Sequence, residues 1–152
     1  MSDVNAPPFR RAVLALNGGS SDARIVSLVA GQARQFKAEL VAVHVVEIDW
    51  TLPLDADIAG RSEEVQRVLD MAESVAEDYR VTLEPVLLQA RDVGAAIVDE
   101  TVERGADVLV VGLPYRKRFG GEFAIGRTIP YILQNAPCAV WVIRDPIAEE
   151  TT

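Results

Sequence analysis

The chain carries one cysteine, one histidine and few aromatic residues, and each scarcity closes off a class of chemistry. Cys138 is the only cysteine in 152 residues, so no intrachain disulfide forms and a cysteine-based metal cluster is excluded. His44 is the only histidine, so a Ser-His-Asp triad or a multi-histidine metal site would have to be built around that one residue. No apolar run approaches the roughly 20 residues of a membrane-spanning helix, and no membrane insertion is expected. Positive charge is also short: 15 Lys and Arg against 23 Asp and Glu give a formal net charge of −8. Such a surface repels a phosphate backbone, so no general affinity for nucleic acid is expected. The opening MSDVNAPPFRR has an acid and prolines where a signal peptide has a basic segment and an apolar core. It reads as a disordered lead, residues 1–8, to a cytoplasmic protein.

What is present fits one soluble domain with room for a core: 49% of residues are hydrophobic and 25% charged. Strand and helix patterns alternate. Ala12–Leu16 is a short apolar run that stops at the turn cluster Asn17-Gly18-Gly19-Ser20. Helical spacing follows from Ser21 to about Lys37, and Leu40–Val46 reads as a second buried strand. Glu47–Arg61 shows no sustained period and is expected to be a loop. Ser62 fits a helix cap, with an apolar stripe running to Tyr79, and Val81–Gln89 alternates as a third strand. Asp92 is placed to cap a helix that Gly105 ends. Val108–Val111 is a fourth strand, Thr128–Gln134 a helix and Ala139–Ile143 a fifth strand. Continuous apolar strands between helices predict an α/β fold, a doubly wound, five-stranded parallel sheet sandwiched by helices. The domain is expected over residues 9–145, with 146–152 a disordered tail.

The stretch from Asp107 to Arg144 is the most informative. A strand leads to Gly112, then a basic glycine-bearing loop, a helix opening after Gly126, and a second strand. Orphan N–H groups and the helix dipole favour an anion at such a helix start. Arg116, Lys117 and Arg118 lie in the loop, alongside Gly120 and Gly121, and Arg127 follows Gly126. A cation opening a helix runs against the dipole unless an anion lies nearby. In doubly wound sheets ligands gather at the carboxyl ends of the strands where strand order switches. The turns after the first and fourth strands are therefore expected to form one pocket.

Over roughly Phe9 to Arg144 the chain resembles the universal stress protein family. The turn Leu16-Asn17-Gly18-Gly19-Ser20, the pair His44-Val45, and Asp107-Val-Leu-Val-Val-Gly112 followed by Gly126 and Asn135-Ala136-Pro137-Cys138 carry the resemblance. It implies a Rossmann-like fold of the adenine nucleotide α-hydrolase-like class and a nucleotide site. ATP-binding members carry a loop G-x2-G-x9-G-[ST]. Here Gly112 and Gly126 fit the first and third glycines, Tyr115 replaces the second, and ten residues rather than nine separate Tyr115 from Gly126. Arg127 stands where the hydroxyl residue is usual, with Thr128 one place later, and Asn17 stands where Asp is usual.

The resemblance implies an adenine-nucleotide-binding sensor or regulator. Its phosphates are expected on the N–H groups of Gly112, Leu113, Gly126, Arg127 and Thr128, and its base between Asn17 and Val45. ATP or AMP is the expected ligand, with Mg²⁺ accompanying ATP. A homodimer through the last strand, Ala139–Ile143, is also implied. No residue is placed to activate water, so no catalytic residue is assigned and weak ATP hydrolysis is the most expected of it. The alternative is a non-nucleotide dimeric interaction module whose variant loop closes the site; the loop is similar to that of stress-protein domains attached to amino-acid permeases. His44 is expected to be a hydrogen-bonded core histidine, Cys138 an apolar filler and Trp141 either core or seam. Asp55, Asp57, Glu63 and Glu64 are expected to form a solvated acidic patch rather than a metal site.

Overall fold

A computed structural model describes residues 8–53, 62–113 and 125–147. The elements alternate as expected: β1 (Arg11–Leu16), α1 (Asp22–Phe36), β2 (Glu39–Glu47), α2 (Ser62–Asp78), β3 (Leu83–Ala90), α3 (Val93–Glu103), β4 (Val108–Leu113), α4 (Thr128–Asn135) and β5 (Ala139–Arg144). All pairings are parallel, in the order β3-β2-β1-β4-β5. Helices α1 and α2 share one face of the sheet and α3 and α4 the other, each pair in mutual contact. One apolar layer joins Leu14, Val110, Ile25 and Val29. The opposite layer joins Val13, Leu109, Ile97 and Ile132.

Several boundaries shift because backbone pairing, not side-chain apolarity, decides where a strand ends. β2 runs on to Glu47, the first residue of the expected loop, because it still pairs with Ala90 of β3. β4 runs two residues past Val111, so Gly112 and Leu113 lie in the sheet opposite Ile143 and Arg144 of β5. Ser62 is the first residue of α2, not a cap ahead of it. Asp92 does cap α3, its Oδ1 accepting from Ala95 N at 3.1 Å, and Gly105 ends that helix with a left-handed φ of 61°. Trp141 is half-buried against the α1–α2 layer, its ring edge-on to buried Phe9 with centroids 5.6 Å apart. Cys138 packs against the α3–α4 layer, and burial pushes its thiol above the ordinary value. Tyr115, Arg116–Arg118, Gly120, Gly121, Asp55 and Asp57 lie outside the described residues.

The two central strands are locked at their start by Asp107. Its carboxylate accepts from Arg10 N at 2.7 Å and Arg11 N at 2.8 Å, while its own N–H donates to Arg11 O. Partial burial raises this carboxyl, but the N–H bonds from Arg10 and Arg11 outweigh it and the net position lies below the ordinary carboxylate value. A depressed carboxylate contributes stability that is present above its unfolded pKa and is lost as pH falls through the folded one. Asp107→Asn should therefore cost about 1 kcal/mol near neutral pH, a modest figure because water screens the group. Urea melts from pH 7 to pH 3 should show the gap between parent and variant closing on acidification.

Candidate functional site

Where β1 ends, at Leu16 opposite His44 of β2, the chain turns through Asn17–Ser20 into α1. Asp22 holds that turn from inside the protein. Its buried carboxylate accepts from Asn17 N at 3.1 Å and Gly18 N at 2.7 Å. Burial pushes the Asp22 carboxyl up, against the opposing pull of those two N–H bonds and of nearby His44. The Asn17 amide oxygen accepts from Gly19 N at 2.7 Å, which leaves its Nδ2 as a donor with no partner among the described residues. His44 Nδ1 lies 2.9 Å from Leu16 O. A carbonyl only accepts, so Nδ1 carries the proton and fixes the neutral ring as that tautomer.

Ladder geometry then identifies backbone groups facing the end of β1. Glu39 donates to Arg10 on the β1 side, whereas Leu40 donates to Thr82 and Ile48 to Ala90 on the β3 side. Backbone groups alternate sides along a strand, so Val45 and Glu47 direct theirs toward β1. That strand has already ended, and the Val45 carbonyl and Glu47 amide face the gap.

Across the gap stands β4. A Cβ on Gly112 would overlap Ile25 Cδ1 and approach Ser21 Cβ to 3.1 Å. The glycine leaves room for Ile25 and Ser21 to pack close against β4, a packing role separate from any ligand. The same corner is tied by Ser21 Oγ donating to Asp145 Oδ2 at 2.7 Å and by Asp145 N donating to Leu113 O at 2.9 Å.

The third wall is the start of α4. Gly126 has φ of 77°, which a side chain rarely adopts, and a Cβ there meets nothing within 4 Å among the described residues. Arg127 occupies the cap position without a capping side-chain bond, and the first turn holds no acid. The first N–H groups of α4, those of Thr128 and Ile129, have no capping side chain among the described residues, and Pro130 has no N–H to offer. Arg127 Nη2 instead reaches Glu47 Oε1 at 3.4 Å, an exposed ion pair.

These walls enclose a cavity of about 480 Å³ at the carboxyl ends of β1, β2 and β4. It lies where β1 meets β4 and the chain switches from building one half of the sheet to the other. Asn17, Val45, Gly112, Leu113, Gly126 and Thr128 all line it, although they come from four separate segments. Arg127, also proposed from sequence, stands outside the lining and borders it through Glu47. The floor is apolar, with Val93, Ile97, Ile129 and Ile132 from α3 and α4. Asp22 and Glu47 went unnoticed in the sequence. The signals were a carboxylate in the first turn after a glycine pair, and a charge closing an otherwise apolar strand. Among the described residues no group of three or more His, Cys, Asp and Glu side chains could hold a metal ion.

Comparison with known proteins agrees with this architecture. A sequence model of the universal stress protein family matches residues 8–144. A universal stress protein of Methanocaldococcus jannaschii is 22% identical over 147 residues, 93% of this chain and 85% of that protein. A universal stress protein structure from Archaeoglobus fulgidus, in complex with dAMP, superposes with a TM-score of 0.68 at 21% identity, covering 88% of this chain and 96% of its own. One from Arabidopsis thaliana with AMP bound gives 0.63 at 16% identity, covering 90% and 92%.

The packing at Gly112 yields a direct test. Gly112→Ala should destabilise the protein by about 1–3 kcal/mol through overpacking. Ile25→Val, which removes the obstructing Cδ1, should recover part of that loss in the double variant. Chemical denaturation of the four proteins measures the coupling; additive losses would place the strain elsewhere.

Proposed function

The chain belongs to the universal stress protein family, and we propose that it is a regulatory protein that binds an adenine nucleotide at the β1–β4 switch point. The observation that carries this reading is the convergence of six sequence-chosen residues on one cavity of about 480 Å³, a volume in the range of small-ligand sites. The base would lie over the apolar floor, its polar edge meeting the Val45 carbonyl, the Glu47 amide and Asn17 Nδ2. These supply one acceptor and two donors, so the edge they read must present the complementary set. The phosphate would take the N–H groups at the start of α4, beside Gly126, with Arg127 leaving Glu47 to meet it. That two family structures hold AMP or dAMP supports a nucleoside monophosphate as the ligand. If ATP binds, Mg²⁺ would ride on its phosphates, because the described residues offer it no cluster. No described side chain is positioned to activate water, so binding rather than turnover is the activity proposed.

A second part of the proposal concerns copies of the chain. The two edges of the sheet differ. β3 carries Glu84 and Pro85, a charge and a missing donor that discourage further pairing. The expected seam Ala139–Ile143 in β5 has neither charge nor proline, and Val142 is exposed. Pairing along β5 would cover this edge and form a homodimer. Light scattering should give a dimer for the parent and a monomer for Val142→Glu; a monomeric parent would refute it.

Calorimetric titration of ligand-free protein with AMP, cyclic AMP and ATP, with and without Mg²⁺, tests the site itself. Micromolar AMP affinity is expected. Gly126→Val should weaken it at least tenfold, because the branched side chain enters the phosphate path and the residue resists a left-handed φ. Undiminished binding by that variant would remove the phosphate from α4. No binding of any nucleotide by folded parent would overturn the reading and leave the dimer surface as the functional element.

A further inference from the structure

At the opposite end of the sheet, where β1, β2 and β3 begin, lies a second cavity of about 670 Å³. Five cationic residues line it against two carboxylates, in a protein whose formal net charge is −8. Both carboxylates are already engaged: Glu39 by Arg11 and Glu84 by Arg104, each at 2.6 Å. Arg34, Lys37 and Arg80 line the same cavity and have no ion pair or side-chain hydrogen bond among the described residues. Three unpaired cations around one concavity attract a multivalent anion, since each added phosphate group meets another positive charge.

Arg34 suits the last turn of α1, but helix capping alone does not account for Lys37 and Arg80. Helices α1, α2 and α3 end in the same motif, an N–H reaching back five residues: Ala38 to Ala33, Val81 to Ala76 and Ala106 to Thr101. The left-handed residue is Gly105 in α3 but Lys37 and Arg80 in α1 and α2, with φ of 55° and 58°. Glycine would close both caps without steric cost, and the attraction of a helix C-terminus for a cation is smaller than that cost. Two charged residues therefore stand where glycine would be sterically easier, and both side chains border the same cavity.

We propose that this cavity is a second anion site, separate from the nucleotide cleft, for a compact chain of two or more phosphate groups. Arg34, Lys37 and Arg80 would supply the contacts, with Arg11 and Arg104 held in place by their carboxylates. The probe is inorganic tripolyphosphate, titrated by calorimetry at low and moderate salt. Saturable one-to-one binding that weakens with salt is expected for the parent and for Arg127→Ala, which alters only the nucleotide cleft. The double variant Lys37→Gly/Arg80→Gly should bind at least tenfold more weakly while its thermal midpoint stays the same or rises. That opposition separates a binding role from a structural one. Displacement of tripolyphosphate by ATP in Arg127→Ala would show that a nucleotide's tail is accepted, and failure to displace would restrict the site to the free oligophosphate; both support it. Absence of saturable binding to the folded parent, or binding lost in Arg127→Ala and kept in the glycine double variant, would overturn the proposal.

Discussion

The position at which β1 stops governs the rest of the molecule's working end. β1 pairs with β2 as far as Leu16 and His44, and β2 continues to Glu47 on its β3 side. The difference in length leaves backbone groups of β2 without a β1 partner inside the sheet. What prevents β1 from simply continuing is the buried carboxylate of Asp22, which takes the N–H groups of Asn17 and Gly18 that would otherwise extend the ladder. A buried, charged acceptor is costly unless such donors satisfy it. The turn and the start of α1 therefore form or fail together, and the cleft at the end of β1 is the space that this arrangement keeps open.

The fold was legible because each strand is an apolar run bounded by turn residues and each helix carries a single apolar stripe. Strand ends were less so. Gly112 and Leu113 were read as the edge of a loop, yet they sit in β4 opposite Ile143 and Arg144, since partners across a ladder are invisible to one-dimensional periodicity. Candidate ligand residues were found through motif spacing. Gly112 shows the limit of that route: the residue type was right to single out, but the structure also gives it a packing reason, the approach of Ile25 and Ser21. Asp22 escaped notice because its role is to face inward from a helix start, where an acid is unremarkable. The cations of the second cavity come from five different elements and connections, so no local run announced them.

Charge is distributed to match these two ends. At the proposed nucleotide cleft the described residues offer few fixed cations and several oriented backbone N–H groups, and Arg127 is paired with Glu47. At the other end it offers side-chain charge and no free helix N-terminus, since helix C-termini point there. On the readings proposed above, one end takes a nucleotide with a single phosphate, the other a run of phosphates with no need of a base. An acidic remainder of the surface would keep both proposed sites local.

Backbone amide spectra of isotope-labelled protein, recorded while AMP is added, test the central claim most directly. The account predicts fast or intermediate shift changes confined to Asn17–Gly18, Val45–Glu47, Gly112–Leu113 and Gly126–Thr128, saturating together at one dissociation constant. Changes centred instead on Lys37, Arg80 and their neighbours, or no saturable change anywhere, would contradict a nucleotide site at the end of β1.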